Sequence, residues 1–152
     1  MALAKNFFLI AGSVFLLDRI SKTVFQKVSL DLGFLNLHLV KNSGGLWGVF
    51  QGMNILFVFV TLLVLGGIFF YLRRILASPT IVWVSFALVF AGGLGNLIDR
   101  LALGFVIDFV DFGFWPAFNV ADSAISIAVC LLLFNEFRPF LQRMLLRKKA
   151  QK

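Results

Sequence analysis

Two long stretches of the chain carry no formal charge, residues 42–72 and residues 75–98. A run of more than about 18 apolar residues is long enough to cross a bilayer as a helix. Two further apolar stretches lie near the ends of the chain, so the pattern predicts four membrane spans. They cover approximately residues 6–26, 54–72, 80–98 and 119–137, followed by a basic tail over residues 138–152.

Charged residues and prolines mark the ends of these predicted spans. Arg73 and Arg74 follow the second span, and Pro79 stands where the first turn of the third helix tolerates a proline. Arg138 and Pro139 are predicted to close the fourth span. Four spans place both termini on the same side of the membrane.

The first apolar stretch begins like a secretory signal peptide. It lacks a small-residue cleavage site, however, and continues directly into the charged sequence DRISK at residues 18–22. We therefore expect residues 6–26 to be retained as a helix with a charged outer end.

The segments between the spans are predicted to lie outside the bilayer, over residues 27–53 and 99–118. Residues 28–40 partly alternate apolar and polar side chains, and residues 105–109 also have an extended pattern. The predicted fold is therefore an all-α membrane protein with four transmembrane helices and a small extracytoplasmic β-rich segment. The 152 residues are expected to form one domain, 1–152.

Composition and charge agree with a membrane protein. The chain is 61% hydrophobic and 14% charged, whereas about a quarter of a soluble domain is charged. This excludes a soluble enzyme and a disordered tail. The net charge of +7 does not predict a nucleic-acid partner, because many of the basic residues flank the spans.

The distribution of charge also predicts the orientation. Nine of the 14 Lys and Arg residues lie on the side that holds both termini, which the positive-inside rule makes cytoplasmic. All six aspartates lie on the outer half. They are Asp18, Asp31, Asp99, Asp108, Asp111 and Asp122.

The remaining reactive side chains are few. Cys130 is the single cysteine, so a disulfide framework and a multi-thiolate metal site are excluded. His38 is the single histidine and has no partner with which to hold zinc. Among the serines, only Ser21 has a basic neighbour, Lys22, which we interpret instead as the i,i+4 ion-pair partner of Asp18.

Two aspartates each follow an asparagine by three positions, Asp99 after Asn96 and Asp122 after Asn119. At this spacing an amide and a carboxylate share one face of a helix. Ionisable groups at membrane depth are usually paired or functional. Asp122 lies a turn inside an apolar helix, which favours a functional role over a helix cap, whereas Asp99 fits a solvated interface position equally well.

Two carboxylates held close together can share one proton. The ionised one then activates water while its protonated neighbour donates to a carbonyl oxygen. Such a pair hydrolyses an amide without metal or histidine. Asp108 and Asp111 lie in the segment between Asp99 and Asp122 and could supply a member of the pair.

Two glycine-containing segments have different interpretations. Residues 91–95 (AGGLG) look like a phosphate loop, but no strand precedes them and they lie in an apolar helix, so close helix packing is expected. Residues 42–45 (NSGG) precede the second span and predict a turn that offers backbone and amide hydrogen bonds.

Five motifs together closely resemble lipoprotein signal peptidase, the bacterial signal peptidase II. The resemblance covers nearly the whole chain, and its most specific parts are Gly-Asn-x-x-Asp-Arg and Phe-Asn-x-Ala-Asp. In chain order the motifs are Asp18-Arg19-Ile20-Ser21-Lys22, Asn42-Ser43-Gly44, GGLGNLIDR at 92–100, VIDF at 106–109 and FNVAD at 118–122.

The resemblance implies an aspartyl endopeptidase of the bacterial inner membrane. It would cut a prolipoprotein just before the cysteine that carries a diacylglyceryl group, with its active site at the outer face. Asp108 and Asp122 would be the catalytic pair, although Asp111 lies near enough to compete with Asp108. The helix dipole would favour an ionised Asp122 and leave the proton on Asp108.

The resemblance also implies supporting roles for other residues. Amide and backbone groups would position the substrate or the pair, Asp18 and Lys22 would brace the site, and Asp99 would be structural. We expect no metal or cofactor, and the partners are the prolipoprotein and membrane lipids, with a monomeric enzyme. The supporting set is Asp18, Lys22, Asn42, Gly44, Asn96, Asp99, Arg100, Asn119 and Ala121.

Two features depart from the family pattern. Leu46 and Trp47 stand where the family more often has Ala-Phe, and Asp108 and Asp122 are separated by only 14 positions. Two other functions stay open on the residues alone. One is a metal-dependent lipid phosphotransferase, which needs three or four clustered carboxylates, and the other is a small non-catalytic membrane bundle.

Overall fold

A computed structural model of the protein describes residues 2–44 and 52–150; for residues 141–143 and 145–150 it describes the backbone alone. Leu46 and Trp47 therefore lie outside the described residues. The structure is mostly helical, with one small antiparallel sheet. In chain order the elements are α1 (Ala2–Phe25), β1 (Leu30–Asp31), β2 (Asn36–Asn42), α2 (Asn54–Phe70), α3 (Leu72–Leu76), α4 (Thr80–Leu103), β3 (Val106–Asp111) and α5 (Val120–Ala150).

Helix α4 is central and packs against α1, α2 and α5. Its glycines permit this packing, as the sequence predicted. A Cβ atom placed on Gly92 would lie 2.5 Å from the backbone oxygen of Ala121, and one on Gly95 would lie 2.5 Å from Asp18 Oδ2. Gly93 faces Leu65 of α2 at 3.3 Å. Only glycine lets three neighbours approach this closely.

The buried face of α1 changes character along the helix. Phe7 and Ala11 belong to the apolar core, whereas Asp18 and Lys22, further along the same face, are 0% and 1% exposed. Apolar packing therefore holds one half of the α1–α4 pair, and ionic contacts hold the half next to the sheet. We call this second half the sheet end.

Many large apolar side chains on the helices face outward, including Leu9, Ile20, Ile55, Leu63 and Phe70. Such a surface is stable in lipid rather than in water. Within the described residues, two helical segments are long and apolar enough to cross a membrane, Thr80–Leu103 and Val120–Phe140. Asn54–Phe70 is also apolar but shorter.

The sheet has the strand order β1-β2-β3, with both pairs antiparallel. Residues 28–40, whose alternation indicates a short strand or a hairpin, and the predicted extended segment near 105–109 are its components. In the pairing of β2 with β3, Val40 lies opposite Asp108, and an irregularity in register falls between Leu37 and Val40. Phe118, which follows β3 in the chain, pairs with Val110 of that strand. This pairing brings the start of α5 against β3.

Two helix boundaries differ from the predicted spans. Helix α4 continues five residues beyond 98 and ends where Gly104 adopts a φ of 79° and donates its N–H to Arg100, so 99–103 belong to the helix. Helix α5 continues through Pro139 to Ala150 instead of closing there. A proline removes only one backbone hydrogen bond, and the following Leu, Gln, Arg, Met and Lys residues favour helix.

The other two spans differ in smaller ways. Helix α1 begins at Ala2, four residues before the predicted start at 6. The second predicted span breaks at Tyr71, where α2 ends and the short α3 begins. Helix α2 therefore ends at Phe70, two residues before the predicted end at 72, and Arg73 and Arg74 belong to α3.

Candidate active site

Asp108 lies on β3, at the sheet end of the helices, and is 1% exposed. Both of its carboxylate oxygens accept hydrogen bonds from amide side chains. Asn42 Nδ2 donates to Oδ2 at 2.9 Å, and Asn119 Nδ2 donates to Oδ1 at 2.6 Å. Asn42 is brought there by its place at the end of β2, the strand that pairs with β3.

Asp122 lies in the first turn of α5 and is half-buried. Asn96 of α4 donates its Nδ2 hydrogen to Asp122 Oδ1 at 2.8 Å. The backbone N–H of Asp122 donates to Asn119 Oδ1 at 2.8 Å. Asn119 therefore caps helix α5 in the usual side-chain manner, and Asp122 is left free of that structural task.

Asn119 is the residue that joins the two aspartates. Its side-chain nitrogen donates to Asp108 and its side-chain oxygen accepts from the backbone of Asp122. The same nitrogen also lies within hydrogen-bond distance of Asn96 Oδ1 and Ile107 O, both at 3.2 Å. Asn119 is 0% exposed, so this geometry is fixed by packing on every side.

A buried ionic network lies next to the two aspartates and contacts Asn96. Lys22 Nζ lies 3.0 Å from Asp18 Oδ2 and 2.8 Å from Asp99 Oδ2, and it donates to Asn96 Oδ1 at 2.9 Å. Asp18 and Lys22 thus form the expected i,i+4 pair, and it is wholly buried. Of the two interpretations left open for Asp99, the solvated interface position is wrong, because this residue is 1% exposed.

Asp18 and Asp99 also bind backbone groups next to the two central aspartates. Asp18 Oδ1 accepts the N–H of Ala121, the residue before Asp122, at 3.0 Å. Asp99 Oδ2 accepts the N–H of Ile107, the residue before Asp108, at 3.2 Å. Each carboxylate of the network therefore fixes the chain one position before a central carboxylate.

Residues 42–44 form the described part of the turn predicted at 42–45, and Gly45 lies outside the described residues. Gly44 donates its N–H to Asn42 Oδ1 at 3.0 Å, and its carbonyl oxygen accepts from Arg100 Nη2 at 3.3 Å. The Arg100 guanidinium also lies 5.0 Å from the centre of the Phe57 ring. Arg100 therefore connects this turn to α4 and α2.

Asp111 belongs to a different environment from Asp108. Three positions apart on a strand, the two side chains point to opposite faces. Asp111 accepts the N–H of Gly113 at 2.7 Å and lies 3.1 Å from His38 Nε2. The Gly113 hydrogen bond, and then the contact with His38, hold the pKa of Asp111 below its ordinary value. The structure places Asp108 next to Asn119, and Asp111 at the surface.

The pKa of Asp108 is strongly perturbed. Burial, and after it the charge on Asp122, raises this pKa from 3.8 to about 7. The hydrogen bonds from Asn42 and Asn119, and the charge of Lys22, act in the opposite direction. Asp108 is therefore able to hold a proton near neutral pH, as an acid of a carboxylate pair must.

Some residues of the site were not predicted from the sequence. Arg19 donates to Asp99 Oδ1 at 2.7 Å and lies 3.5 Å from Asp18 Oδ2. Asn54 donates to the carbonyl oxygen of Arg100 at 3.2 Å. The position of Arg19 inside the DRISK motif was its one available signal.

These features define a class of protein. Two acidic side chains, one buried and one half-buried, are joined by amide groups at one end of a helical fold with an apolar outer surface. Among the described residues, no group of three or more His, Cys, Asp or Glu side chains is placed to hold a metal ion. The arrangement is that of an aspartic peptidase in a membrane.

The comparisons with known proteins give the family. Residues 10–138 match the family described as signal peptidase (SPase) II, and the chain belongs to this aspartic peptidase family. The lipoprotein signal peptidase of Thermodesulfovibrio yellowstonii is 40% identical over 135 residues, which cover 82% of this chain and 90% of that protein. That of Syntrophomonas wolfei is 45% identical over 127 residues, 79% of this chain and 85% of that protein.

A solved structure agrees with the fold. A bacterial membrane enzyme determined by the in meso method at 2.3 Å resolution has a TM-score of 0.78 and 30% identity, covering 88% of both chains. The function that the motifs implied, removal of signal peptides by a lipoprotein signal peptidase, is confirmed at the level of the family.

Proposed function

We propose that Asp108 and Asp122 are the catalytic pair of this signal peptidase. The observation that carries the proposal is the position of Asn119, whose amide contacts Asp108 on one side and the backbone of Asp122 on the other. A side chain that is 0% exposed and holds both groups restricts their relative motion. Asp111 is not in this arrangement.

The chemistry follows from the unequal surroundings of the two carboxylates. Asp122, at the N-terminus of α5, is the ionised member and takes a proton from a water molecule as that water attacks the scissile carbonyl carbon. Asp108, protonated near neutral pH, donates its proton to the carbonyl oxygen. When the tetrahedral intermediate collapses, Asp122 gives its proton to the leaving nitrogen and a hydroxyl proton returns to Asp108.

The other predicted residues act through these two. Asn42, Asn96 and Asn119 hold the carboxylates by hydrogen bonds. Asp18, Lys22, Asp99 and Ala121 fix the backbone beside them. Arg100 and Gly44 hold the turn next to Asp108. Each is a positioning residue, and none is assigned a chemical step.

We propose that the substrate is a prolipoprotein with a diacylglyceryl cysteine and that cleavage occurs just before this cysteine. The name shared by the relatives, lipoprotein signal peptidase, supports this substrate class. The site at the end of a helical bundle suits a bond at a membrane surface. We also propose that the enzyme acts as a monomer, since Asn42, Asn96 and Asn119 of one chain contact the pair among the described residues.

We further propose that α1, α2 with α3, α4 and α5 cross the membrane, with both termini cytoplasmic and the sheet end at the outer face. The apolar outward surfaces of the helices support four spans. The excess of Lys and Arg on the side of the termini supports the orientation. A cysteine-accessibility scan of intact cells tests both.

The test of the catalytic pair uses purified protein in detergent and a diacylglyceryl-modified prolipoprotein, with EDTA present. Asp108→Asn and Asp122→Asn are expected to lose cleavage while remaining folded. Asp111→Asn is the matched control on the same strand and is expected to cleave at close to the wild-type rate. Cleavage is followed as a mobility shift on a gel.

The alternatives give different outcomes. A metal-dependent lipid phosphotransferase and a non-catalytic bundle would both leave the prolipoprotein uncleaved, whether or not EDTA is present. An inactive Asp111→Asn beside an active Asp108→Asn would transfer the role to Asp111 and refute our pair.

A further inference from the structure

Two cavities lie along the contact between α1 and α4. At the sheet end, a cavity of about 240 Å³ is lined by Arg19, Lys22, Thr23 and Gln26 of α1, by Ile98, Asp99, Ala102 and Leu103 of α4, and by Ile107 of β3. Closer to the opposite end, a cavity of about 140 Å³ is lined by apolar side chains and Gly12. None of the residues that line either cavity is Asp108 or Asp122.

The two cavities follow one face of each helix. On α1 the lining residues include 8, 12, 15, 19, 23 and 26, which recur every three or four positions. The last lining residues of the apolar cavity on each helix are Phe15 and Leu94, and the first of the polar cavity are Arg19 and Ile98. Four residues further along a helix is a rise of about 6 Å. Because the two cavities lie in line along the same pair of helices, we refer to them together as the α1–α4 groove.

The two ends of the groove differ in polarity. Its sheet end carries the Arg19 guanidinium, which donates to Asp99 through Nη2 and whose buried Nε has no hydrogen-bond partner among the described residues. Its other end is apolar, with Phe8, Phe15 and Phe90 on its walls. A charged group at one end and a hydrocarbon wall below it match a molecule with a polar head and an acyl chain.

Gly12 keeps the apolar end of the groove open. A Cβ atom placed on Gly12 would meet nothing within 4 Å, so neither helix packing nor backbone conformation requires glycine at this position. Gly92, Gly93 and Gly95 of α4, by contrast, each face a close neighbour. Gly12 therefore leaves open space in the wall of the apolar cavity.

We propose that the α1–α4 groove binds one bilayer glycerophospholipid. Its phosphate accepts hydrogen bonds from the Arg19 guanidinium, whose fork of donors suits phosphate oxygens. One acyl chain lies against Gly12, Phe15 and Phe90. The polar cavity shares Lys22 and Asp99 with the buried network, but Asp108, Asp122 and Asn96 do not line it, and on this ground we take the lipid to be distinct from the substrate.

The test measures lipid retention on the purified, delipidated protein by native mass spectrometry. Phosphatidylglycerol is added in one arm, and diacylglycerol with the same chains is added in the other. Gly12→Leu places a side chain in the apolar end, where a Cβ atom meets nothing within 4 Å, and Arg19→Gln removes the guanidinium. Gly66→Leu is the matched control, because Gly66 on α2 is also open but lies outside the groove.

We expect wild type and Gly66→Leu to retain one phosphatidylglycerol, and both groove variants to bind it about tenfold more weakly, as for loss of a charged hydrogen bond or of a filled apolar site. In its own arm, diacylglycerol is expected not to be retained. Unchanged binding in Gly12→Leu would refute the site, even if Arg19→Gln were unstable. Equal binding of diacylglycerol, or loss of prolipoprotein cleavage in Gly12→Leu, would assign the groove to the substrate lipid instead.

Discussion

Asp18 Oδ1 accepts a hydrogen bond from the backbone N–H of Ala121 at 3.0 Å, although the two residues are 103 positions apart. Both are 0% exposed. The contact joins the charged end of α1 to the first turn of α5, one residue before Asp122. The position of a catalytic candidate thus depends on a carboxylate from the other end of the chain.

Asp18→Ala should destabilise the protein and lower its activity together. It removes one partner of the buried Lys22, and breaking such a pair costs about 3–5 kcal/mol; because Lys22 keeps Asp99, we expect the lower end of this range. Asp18→Asn keeps an oxygen for the Ala121 N–H. It should therefore lose stability but retain more of kcat than Asp18→Ala. Unfolding in detergent gives the stability of each variant, and cleavage kinetics give its kcat. Equal kcat values for Asp18→Ala and Asp18→Asn would disprove a role of Asp18 in positioning α5.

Gly92→Ala should lower the free energy of unfolding, whereas Gly66→Ala should raise it. A Cβ on Gly92 would lie 2.5 Å from the backbone oxygen of Ala121, and overpacking of this kind costs about 1–3 kcal/mol. Gly66 faces open space on α2, so its replacement gains about 1 kcal/mol of helix propensity. Thermal unfolding of both variants compares them directly. A stable Gly92→Ala would mean that α4 and α5 are packed less closely than we describe.

Much of the fold could be predicted because its signals are local. Apolar runs specify helices, and a turn such as 42–44 is specified by its own residues. Helix ends are less predictable, because Gly104 and Pro139 are both breakers by composition, yet only Gly104 ends its helix. The difference lies in the residues that follow, since those after Pro139 favour helix.

The site was harder to predict, because it depends on register and on distant pairs. Asp108 and Asp111 are both acidic residues of one extended segment. They are separated by the alternation of side chains on β3 and by the pairing of Asp108 with Val40. Likewise, Arg19 and Asp99 are 80 positions apart, so no local pattern could join them. Family motifs supplied the choice of Asp108, and the hydrogen bonds of Asn119 give it a physical reason.

Asn119→Ala should reduce kcat by about 100-fold, which is the size of effect expected when reacting groups are misplaced by an ångström. The change removes the donor to Asp108 and the cap acceptor for the Asp122 N–H at once. Asn119→Ser keeps a capping oxygen for α5 and should restore stability but not kcat. The comparison separates helix capping from positioning, and the hypothesis fails if Asn119→Ser is fully active.

Cleavage should decline as the pH rises through about 7. The mechanism needs the proton on Asp108, whose pKa is raised to about 7, so each pH unit above this value should lower kcat/KM about tenfold. The Asn42 hydrogen bond lowers this pKa, and Asn42→Ala should therefore move the basic limb to higher pH. Asn36→Ala, at the other end of β2, is the control. A limb that does not move in Asn42→Ala would assign the titration to another group.

The pH dependence of the free energy of unfolding should reveal the ionisation of Asp108 independently of catalysis. The native pKa of Asp108 lies above its ordinary 3.8, so the native state binds more protons than the unfolded state between these values. The contribution of protonated Asp108 to the free energy of unfolding is therefore complete below pH 3.8. It is lost as the pH rises through about 7, with a slope of about 1.4 kcal/mol per pH unit. Asp108→Asn cannot ionise and should lack this slope, becoming more stable than wild type at high pH. If the two unfolding curves run parallel from pH 4 to 8, Asp108 is not the buried acid that the geometry describes.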